Sequence, residues 1–473
     1  MSFTGITFFI FVPIVLIIYF LLPYKYRYIW LLFASYFFYT TQSTSFTTLL
    51  IISTLVTWIS GNVVYKAKTV TAKKLSVAVG LIINLSILVL FKYADFAFSI
   101  FNSEISLNLI LPAGISFYTF QSITYIIDCY REEVEPEHNI FKYALFVSFF
   151  PLILSGPIER AKNLIPQLNL KSDFDPDRAK DGLKYILYGY FLKMVIVSRL
   201  SILTDTVFND YLNRNGFSIL VAIFAYTIQI YCDFAGYSDI AIGICKIMGI
   251  NIVKNFRQPY FATSVADFWR RWHISLSTWF RDYLYIPLGG NRKGNLRKRF
   301  NVLIVFLLSG IWHGANITFL VWGLLNGVYQ VIGDLCKPLK LTISNRIPAK
   351  LYNFMSTAIT FLLISFTWVF FRAASLFEAY NILYKLTTGF SISQLFDETV
   401  FTLGLGHNNL LFVIVAILML LLSDLICERK KCDVSMLMAN TRPYIRWIVY
   451  YIAIIMIILS CNLNTQEFIY QQF

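Results

Sequence analysis

Charge is scarce in this chain: 14% of its 473 residues are Asp, Glu, Lys or Arg, against 57% hydrophobic, and the mean hydropathy is +0.63. That balance excludes an ordinary soluble domain. The seven cysteines, at 129, 232, 245, 336, 427, 432 and 461, show no C-x-x-C spacing. They read as small buried hydrophobes rather than as disulfides or a zinc site, and no metal is expected. No G-x-S-x-G, H-E-x-x-H, P-loop or dinucleotide fingerprint occurs in a suitable context. Apolar runs without strict alternation disfavour a β-barrel. The first run has no basic residue before it and no small-residue cleavage site after it, so it is expected to be a retained span. Histidine is also rare, with only four in the chain.

What is present is apolar sequence from end to end. Fourteen candidate runs can be drawn, among them 140–155, 217–232, 234–250, 301–314, 317–336, 410–427 and 444–461. A span needs about 20 apolar residues, and several runs are too short or are broken by Pro or Gly. Ten to twelve true spans are expected, the remainder being re-entrant or interfacial. Repeated crossings by one core suggest an all-α polytopic protein with a single membrane domain over residues 1–473.

Positive charge sets the expected orientation. Lys66, Lys68, Lys73 and Lys74, the 292–299 stretch and the 428–443 stretch are basic and should face the cytoplasm, whereas 102–108 and 388–408 should face outward, as should the C-terminus. The run 140–155 lies between charged segments on the same side, so it should dip in and return, with Pro151 and Ser155-Gly156-Pro157 as the break. The runs 301–314 and 317–336 should form a hairpin with His313 near its tip. Residues 254–300 stand out as a basic cytoplasmic or interfacial segment, with ten Lys or Arg against two Asp. In so apolar a chain this implies lipid or another anion, not nucleic acid.

Two histidines carry the chemistry. His273 lies in D-F-W-R-R-W-H-I-S-L-S-T-W-F-R-D and His313 in L-L-S-G-I-W-H-G-A-N. Imidazole moves protons near neutral pH, and an ionisable group within an apolar run is a functional candidate. Drawn as one helix, 267–283 places Phe268, Trp272, Leu276, Trp279, Phe280 and Tyr283 on one face. Arg270, His273, Ser277 and Arg281 fall on the other, with Arg271 beside them. This gives an in-plane amphipathic helix with aromatics toward the acyl chains. Its basic stripe either anchors headgroups or holds the phosphates of an anionic donor. His313 is either a core histidine satisfied by a neighbouring helix or a general base for an alcohol or thiol. Trp312 and Asn316 flank it. Asp233 and Asp239, in Y-C-D-F-A-G-Y-S-D, are read first as structural partners for arginines and second as tunnel-lining groups. His138 and His407 read as solvated.

These blocks resemble a known family. D-F-W-R-R-W-H-I-S-L-S-T-W-F-R-D-Y-L-Y-I-P-L-G-G-N-R (267–292) is similar to the signature of the bacterial membrane-bound O-acyltransferases, in their alginate O-acetylation (AlgI-like) branch. S-G-I-W-H-G-A (309–315) resembles the family's second histidine block, and 231–239, 255–260 and 155–160 match in order. The resemblance implies a helical shell around a central tunnel, with His313 as the catalytic histidine and His273 as its companion. One departure is visible: relatives often read W-G-L-x-H-G where this chain has Asn326.

The function implied is transfer of an acetyl group from a cytoplasmic thioester across the membrane, for O-acetylation of an exported polysaccharide. Acetyl-CoA would be co-substrate and no cofactor would be bound. Expected partners are membrane lipid, the acyl donor and a secreted or membrane-anchored acyltransferase. Two alternatives stay open: D-alanyl or other acyl transfer to a cell-wall polymer, and a non-catalytic polysaccharide-export channel or transporter. The absence of an internal repeat argues against the last.

Overall fold

The structure, a computed structural model, describes residues 1–41, 44–100, 106–395 and 403–461. Parts of the expected outer segments 102–108 and 388–408, and the C-terminal end, lie outside the described residues. Among the described residues there are twenty α-helices and no strand. In chain order they are α1 (Ile6–Leu21), α2 (Tyr24–Thr40), α3 (Thr44–Lys66), α4 (Val70–Ile100), α5 (Ile115–Tyr130), α6 (Ile140–Ser148), α7 (Ala161–Leu168), α8 (Pro176–Tyr190), α9 (Ser198–Phe208) and α10 (Gly216–Met248). Then follow α11 (Val265–Arg271), α12 (Ile274–Phe280), α13 (Gly294–His313), α14 (Ile317–Leu335), α15 (Lys337–Ser344), α16 (Ala349–Arg372), α17 (Leu376–Thr388), α18 (Gly406–Lys430), α19 (Val434–Ala439) and α20 (Pro443–Leu459).

Among the described residues six stretches are long and apolar enough to cross a bilayer: Thr44–Lys66, Val70–Ile100, Pro176–Phe208, Gly216–Met248, Ala349–Arg372 and Gly406–Lys430. Helices α14 and α15 are long and apolar enough only when taken together across the 60° bend between them, as a broken span or a re-entrant pair. The chain is therefore a multi-pass helical membrane protein. Fewer long crossings appear than the ten to twelve expected, for local reasons. The runs 217–232 and 234–250 are one 33-residue helix, α10. The run 140–155 yields only nine helical residues, about 14 Å of rise. The helices α1 and α20 are apolar but short.

The described chain divides into two compact units. The first comprises Met1–Leu187 and Tyr237–Lys254. Here α3, α4 and α5 pack together, and Tyr143 donates to Thr57 at 2.7 Å from α6. After α6 the chain turns through 149–156, with Phe149 to Gly156 all buried, which is the protein-buried break expected for 140–155. The S-G-P-I-E-R motif begins in this turn and continues as irregular chain to α7. Its Glu159 is fully buried and accepts the Val253 N–H and the Asn163 amide, so the motif fastens the 251–253 loop. Gln167 and Asn251 add a reciprocal pair at 2.7 and 2.9 Å. Burial pushes the Glu159 carboxyl above its ordinary range.

The second unit comprises Tyr188–Gly236 and Asn255–Cys461. Its central motif is the antiparallel hairpin of α13 and α14, joined by Gly314, Ala315 and Asn316. At the hairpin's open end Asp334 gathers Lys298 at 2.8 Å, Lys337 at 2.9 Å and Arg299 at 3.5 Å. Nearer the tip the helices touch backbone to backbone. A side chain at Gly310 would strike the Phe319 carbonyl, and one at Gly323 the Phe306 carbonyl. Small residues are what permit so close an approach between helices. Asn301 of α13 donates to the Leu288 and Gly290 carbonyls at 3.3 and 3.0 Å, holding the Gly289-Gly290 turn in which both glycines have positive φ.

Candidate active site

The stretch 267–283 is not one helix. It breaks between α11 and α12 at His273, whose φ of +43° lies in the left-handed region. The physical cause is competition for backbone hydrogen bonds. The Asn255 carbonyl takes the Ile274 N–H at 3.0 Å, its side-chain oxygen takes the Ser275 N–H at 3.2 Å, and the Arg257 N–H goes to the Arg271 carbonyl at 3.0 Å. Residues 255–257 thus replace the bonds a continuous helix would make. A non-glycine residue with positive φ is costly and persists only where its surroundings over-determine it. The N-F-R motif supplies those surroundings.

The expected face pattern changes with the break. Phe268, Trp272, Leu276, Trp279 and Phe280 are buried in the protein rather than turned to acyl chains. His273 is 1% exposed, packed edge-on against Phe234 with ring centroids 4.6 Å apart. It lies outside the membrane-spanning helices, and burial pushes its imidazole down to about 3, so it is neutral at physiological pH.

His313 is the last residue of α13, 4% exposed, at the hairpin tip as expected. Some 20 Å of helix separate it from the basic turn at Lys298-Arg299. Its ring is surrounded by Trp312 at 4.9 Å, Trp322 at 4.9 Å and Phe371 at 5.4 Å, all steeply inclined to it. Trp312 also reaches His273 at 6.2 Å, so one indole touches both histidines. Behind them Trp322 stacks on Trp368 at 5.7 Å, and Trp368 meets Trp272 at 5.1 Å. At Gly314 the Phe319 ring packs so close that any side chain would strike it.

The remaining predicted residues separate into distinct roles. Arg271 is mostly buried and committed to two carboxylates, Asp267 at 2.9 Å and Glu428 at 2.8 Å. Arg270 and Arg281 are exposed, with Asp267 at 3.4 Å and Asp282 at 2.8 Å respectively. Ser277 donates its hydroxyl to the Trp272 carbonyl at 3.2 Å, bracing the break. Asn316 caps α14 through the Thr318 N–H at 3.0 Å and donates to the Ala374 carbonyl at 2.7 Å. Asp233 is buried and paired with Lys193 at 2.5 Å. That lysine sits in a π-helical turn, Phe191–Val197, between α8 and α9. Asp239 is half-buried in the first unit. His138 and His407 are exposed, His138 lying 2.9 Å from the Asn62 side-chain oxygen.

Sequence singled out Asn326 without a role and missed other residues near the site. Asn326, where relatives often carry histidine, is fully buried and accepts the Trp269 indole N–H at 3.2 Å while donating to the Trp322 carbonyl at 2.9 Å. It therefore holds two tryptophans of the cluster. Asp424 and Glu428 of α18 also reach this region. An aspartate within the apolar run 410–427 was the signal that could have found the first.

A buried aromatic enclosure holding two imidazoles is suited to taking a proton from a hydroxyl and returning it to a leaving group. Comparison with known proteins bears on which reaction this is. Residues 2–376 match the model of MBOAT, the membrane-bound O-acyltransferase family. The chain is 38% identical over 397 residues to the probable alginate O-acetylase AlgI of Pseudomonas aeruginosa, covering 82% of this chain and 74% of that one. It is 34% identical over 420 residues to the peptidoglycan O-acetyltransferase of Helicobacter pylori, covering 81% and 78%. To the teichoic acid D-alanyltransferase of Bacillus subtilis it is 30% identical over 230 residues, covering 47% and 58%. An acyltransferase assignment displaces the non-catalytic channel or transporter reading. This chain belongs to the membrane-bound O-acyltransferase family.

Proposed function

We propose that the protein passes an acetyl group from a cytoplasmic thioester, acetyl-CoA, across the membrane for O-acetylation of an exported polysaccharide. The observation that carries this reading is the position of His313: buried, at the tip of a hairpin whose other end is basic, within a tryptophan enclosure it shares with His273. If the basic end is cytoplasmic, as the charge asymmetry indicates, the tip lies toward the outer side. Cysteines placed at 295 and 404 test that orientation. Labelling from outside intact cells at 404 and not at 295 is expected, and the reverse would overturn it.

In the proposed step His313 takes the proton of the attacking hydroxyl as its oxygen bonds to the acyl carbon. The carbon–sulfur bond then breaks, and the imidazolium returns the proton to the departing thiolate. The buried indole N–H groups of Trp322 and Trp368 have no hydrogen-bond partner among the described residues. They are available to a developing oxyanion. The exposed Arg270 and Arg281 would hold the donor's phosphates. A secreted or membrane-anchored acyltransferase is the proposed partner that completes delivery to the polymer.

The D-alanyl alternative rests on a relative matched over under half of the chain. Purified protein offered radiolabelled acetyl-CoA or a D-alanyl carrier protein separates the two. Binding and acyl transfer with the first only are expected, and transfer from the carrier only would overturn the acetyl reading.

A further inference from the structure

The last long span carries two carboxylates that the acyl-transfer mechanism above does not use. Asp424 and Glu428 are one helical turn apart on α18, one of the helices long and apolar enough to span a bilayer. They lie outside residues 2–376, the part of the chain that matches the family model. A carboxylate in such a helix is expensive unless it meets a specific partner. Each does: Glu428 meets Arg271 as well as Lys431, the latter at 3.0 Å, and Asp424 meets Tyr231, and Arg271 and Tyr231 belong to the frame around His273.

Glu428 grips Arg271 with both oxygens, at 2.8 and 3.3 Å. Arg271 stands two residues before His273, and its own carbonyl accepts the Arg257 N–H that helps hold the break. Asp424, 5% exposed, accepts the Tyr231 hydroxyl at 3.1 Å. The Tyr231 ring packs on Trp272 at 6.3 Å and on Phe256 at 5.8 Å. Tyr231 also precedes by three positions on α10 the Phe234 ring that lies 4.6 Å from His273. The two carboxylates therefore reach both sides of the imidazole, one through the chain that leads into it and one through the helix that packs on it. A bidentate charged pair fixes orientation as well as distance.

We propose that Asp424 and Glu428 are positioning residues for His273, with α18 acting as a brace that fixes the left-handed break and aims its imidazole into the tryptophan enclosure. The consequence for activity rests on the reading of His273 as part of the acyl-transfer site. The positioning itself does not, and the two are tested separately.

The probe is diethyl pyrocarbonate, applied to the full-length protein in detergent, with modification of each histidine followed by mass spectrometry. In the wild type His273 should react far more slowly than the exposed His407. Glu428→Gln, Asp424→Asn and Tyr231→Phe should each speed modification of His273 about tenfold and leave His313 within about twofold, because the opening is local. Glu428→Asp, which keeps the charge, should recover part of the protection. Tyr231→Phe removes a single oxygen, so it serves where a carboxylate variant does not accumulate. Wild-type protection of His273 in Tyr231→Phe and the recoverable carboxylate variants would overturn the proposal. So would equal deprotection of His273 and His313, which would mark the carboxylates as general structural supports. Acyl transfer from acetyl-CoA gives the second readout: kcat should fall about 10–100-fold with KM little changed, as for a misplaced catalytic group. Wild-type activity in His273→Ala would instead sink the role of His273 in the reaction while leaving the labelling result intact.

Discussion

His273 and His313 share a neighbour: the Trp312 indole lies 6.2 Å from the first ring and 4.9 Å from the second, steeply inclined to both. Two blocks far apart in sequence thus meet on one aromatic side chain, and both imidazoles are buried in the enclosure they form. Substituting His313 by Ala should abolish acyl transfer, by about 10²–10⁴-fold for loss of general-base help, while the protein still inserts. Polymer acetylation in cells, normalised to membrane-inserted protein, is the measurement. Wild-type acetylation in a well-expressed variant would remove His313 from the mechanism.

The arginines before and after His273 should behave differently. Arg271 is enclosed by Asp267 and Glu428, which keep Arg270 and Lys431 as second partners, so Arg271→Ala should cost about 1.5–3 kcal/mol of stability for the lost charged hydrogen bonds. Arg270 is largely exposed. Arg270→Ala should leave the melting temperature near wild type and weaken acetyl-CoA binding, with the difference largest at low salt, where screening is weak. Calorimetry in detergent free of anionic lipid checks both. Unchanged affinity in Arg270→Ala at low salt would exclude it from the donor site.

Close backbone contact in the α13–α14 hairpin makes Gly310 intolerant of any side chain, since a Cβ there would strike the Phe319 carbonyl. Gly310→Val should destabilise the protein by about 1–3 kcal/mol and displace His313, which lies three residues on. Gly333 on α14 has only the Lys340 amine near such a Cβ, at 3.8 Å. Gly333→Ala should therefore be neutral or stabilising by up to about 1 kcal/mol. Thermal unfolding and acyl-transfer assays on the pair would show whether the spacing of this hairpin matters as described.

Burial of His273 has a signed consequence for pH. An unfolded histidine titrates near about 6.5, whereas in the fold its imidazole is pushed down to about 3. Between those values the unfolded chain binds the extra proton. Stability from this group is therefore fully present above about 6.5 and is lost as pH falls toward 3. In His273→Asn, a residue that also tolerates positive φ, thermal unfolding between about pH 4 and 6.5 should vary less steeply than in the wild type. An identical slope would mean that His273 does not titrate on unfolding.

The sequence alone carries the helical membrane class, the hairpin with His313 at its tip, the buried break after α6 and the family. Each of these is written locally, in runs of apolar residues, in glycines and prolines that interrupt them, and in contiguous motif blocks. It could not determine how 267–283 folds. The 3.6-residue spacing there is genuine, but Asn255 and Arg257, supplied from an earlier segment, outcompete the helix for its own hydrogen bonds and bend it at His273. Tertiary structure likewise turned the aromatic face inward, assigned Lys193 to Asp233 and committed Arg271 to Glu428. Periodicity reports which residues share a face of a helix. Which face is covered by protein and which by lipid, and which distant charge meets which, depends on contacts between segments that lie far apart along the chain.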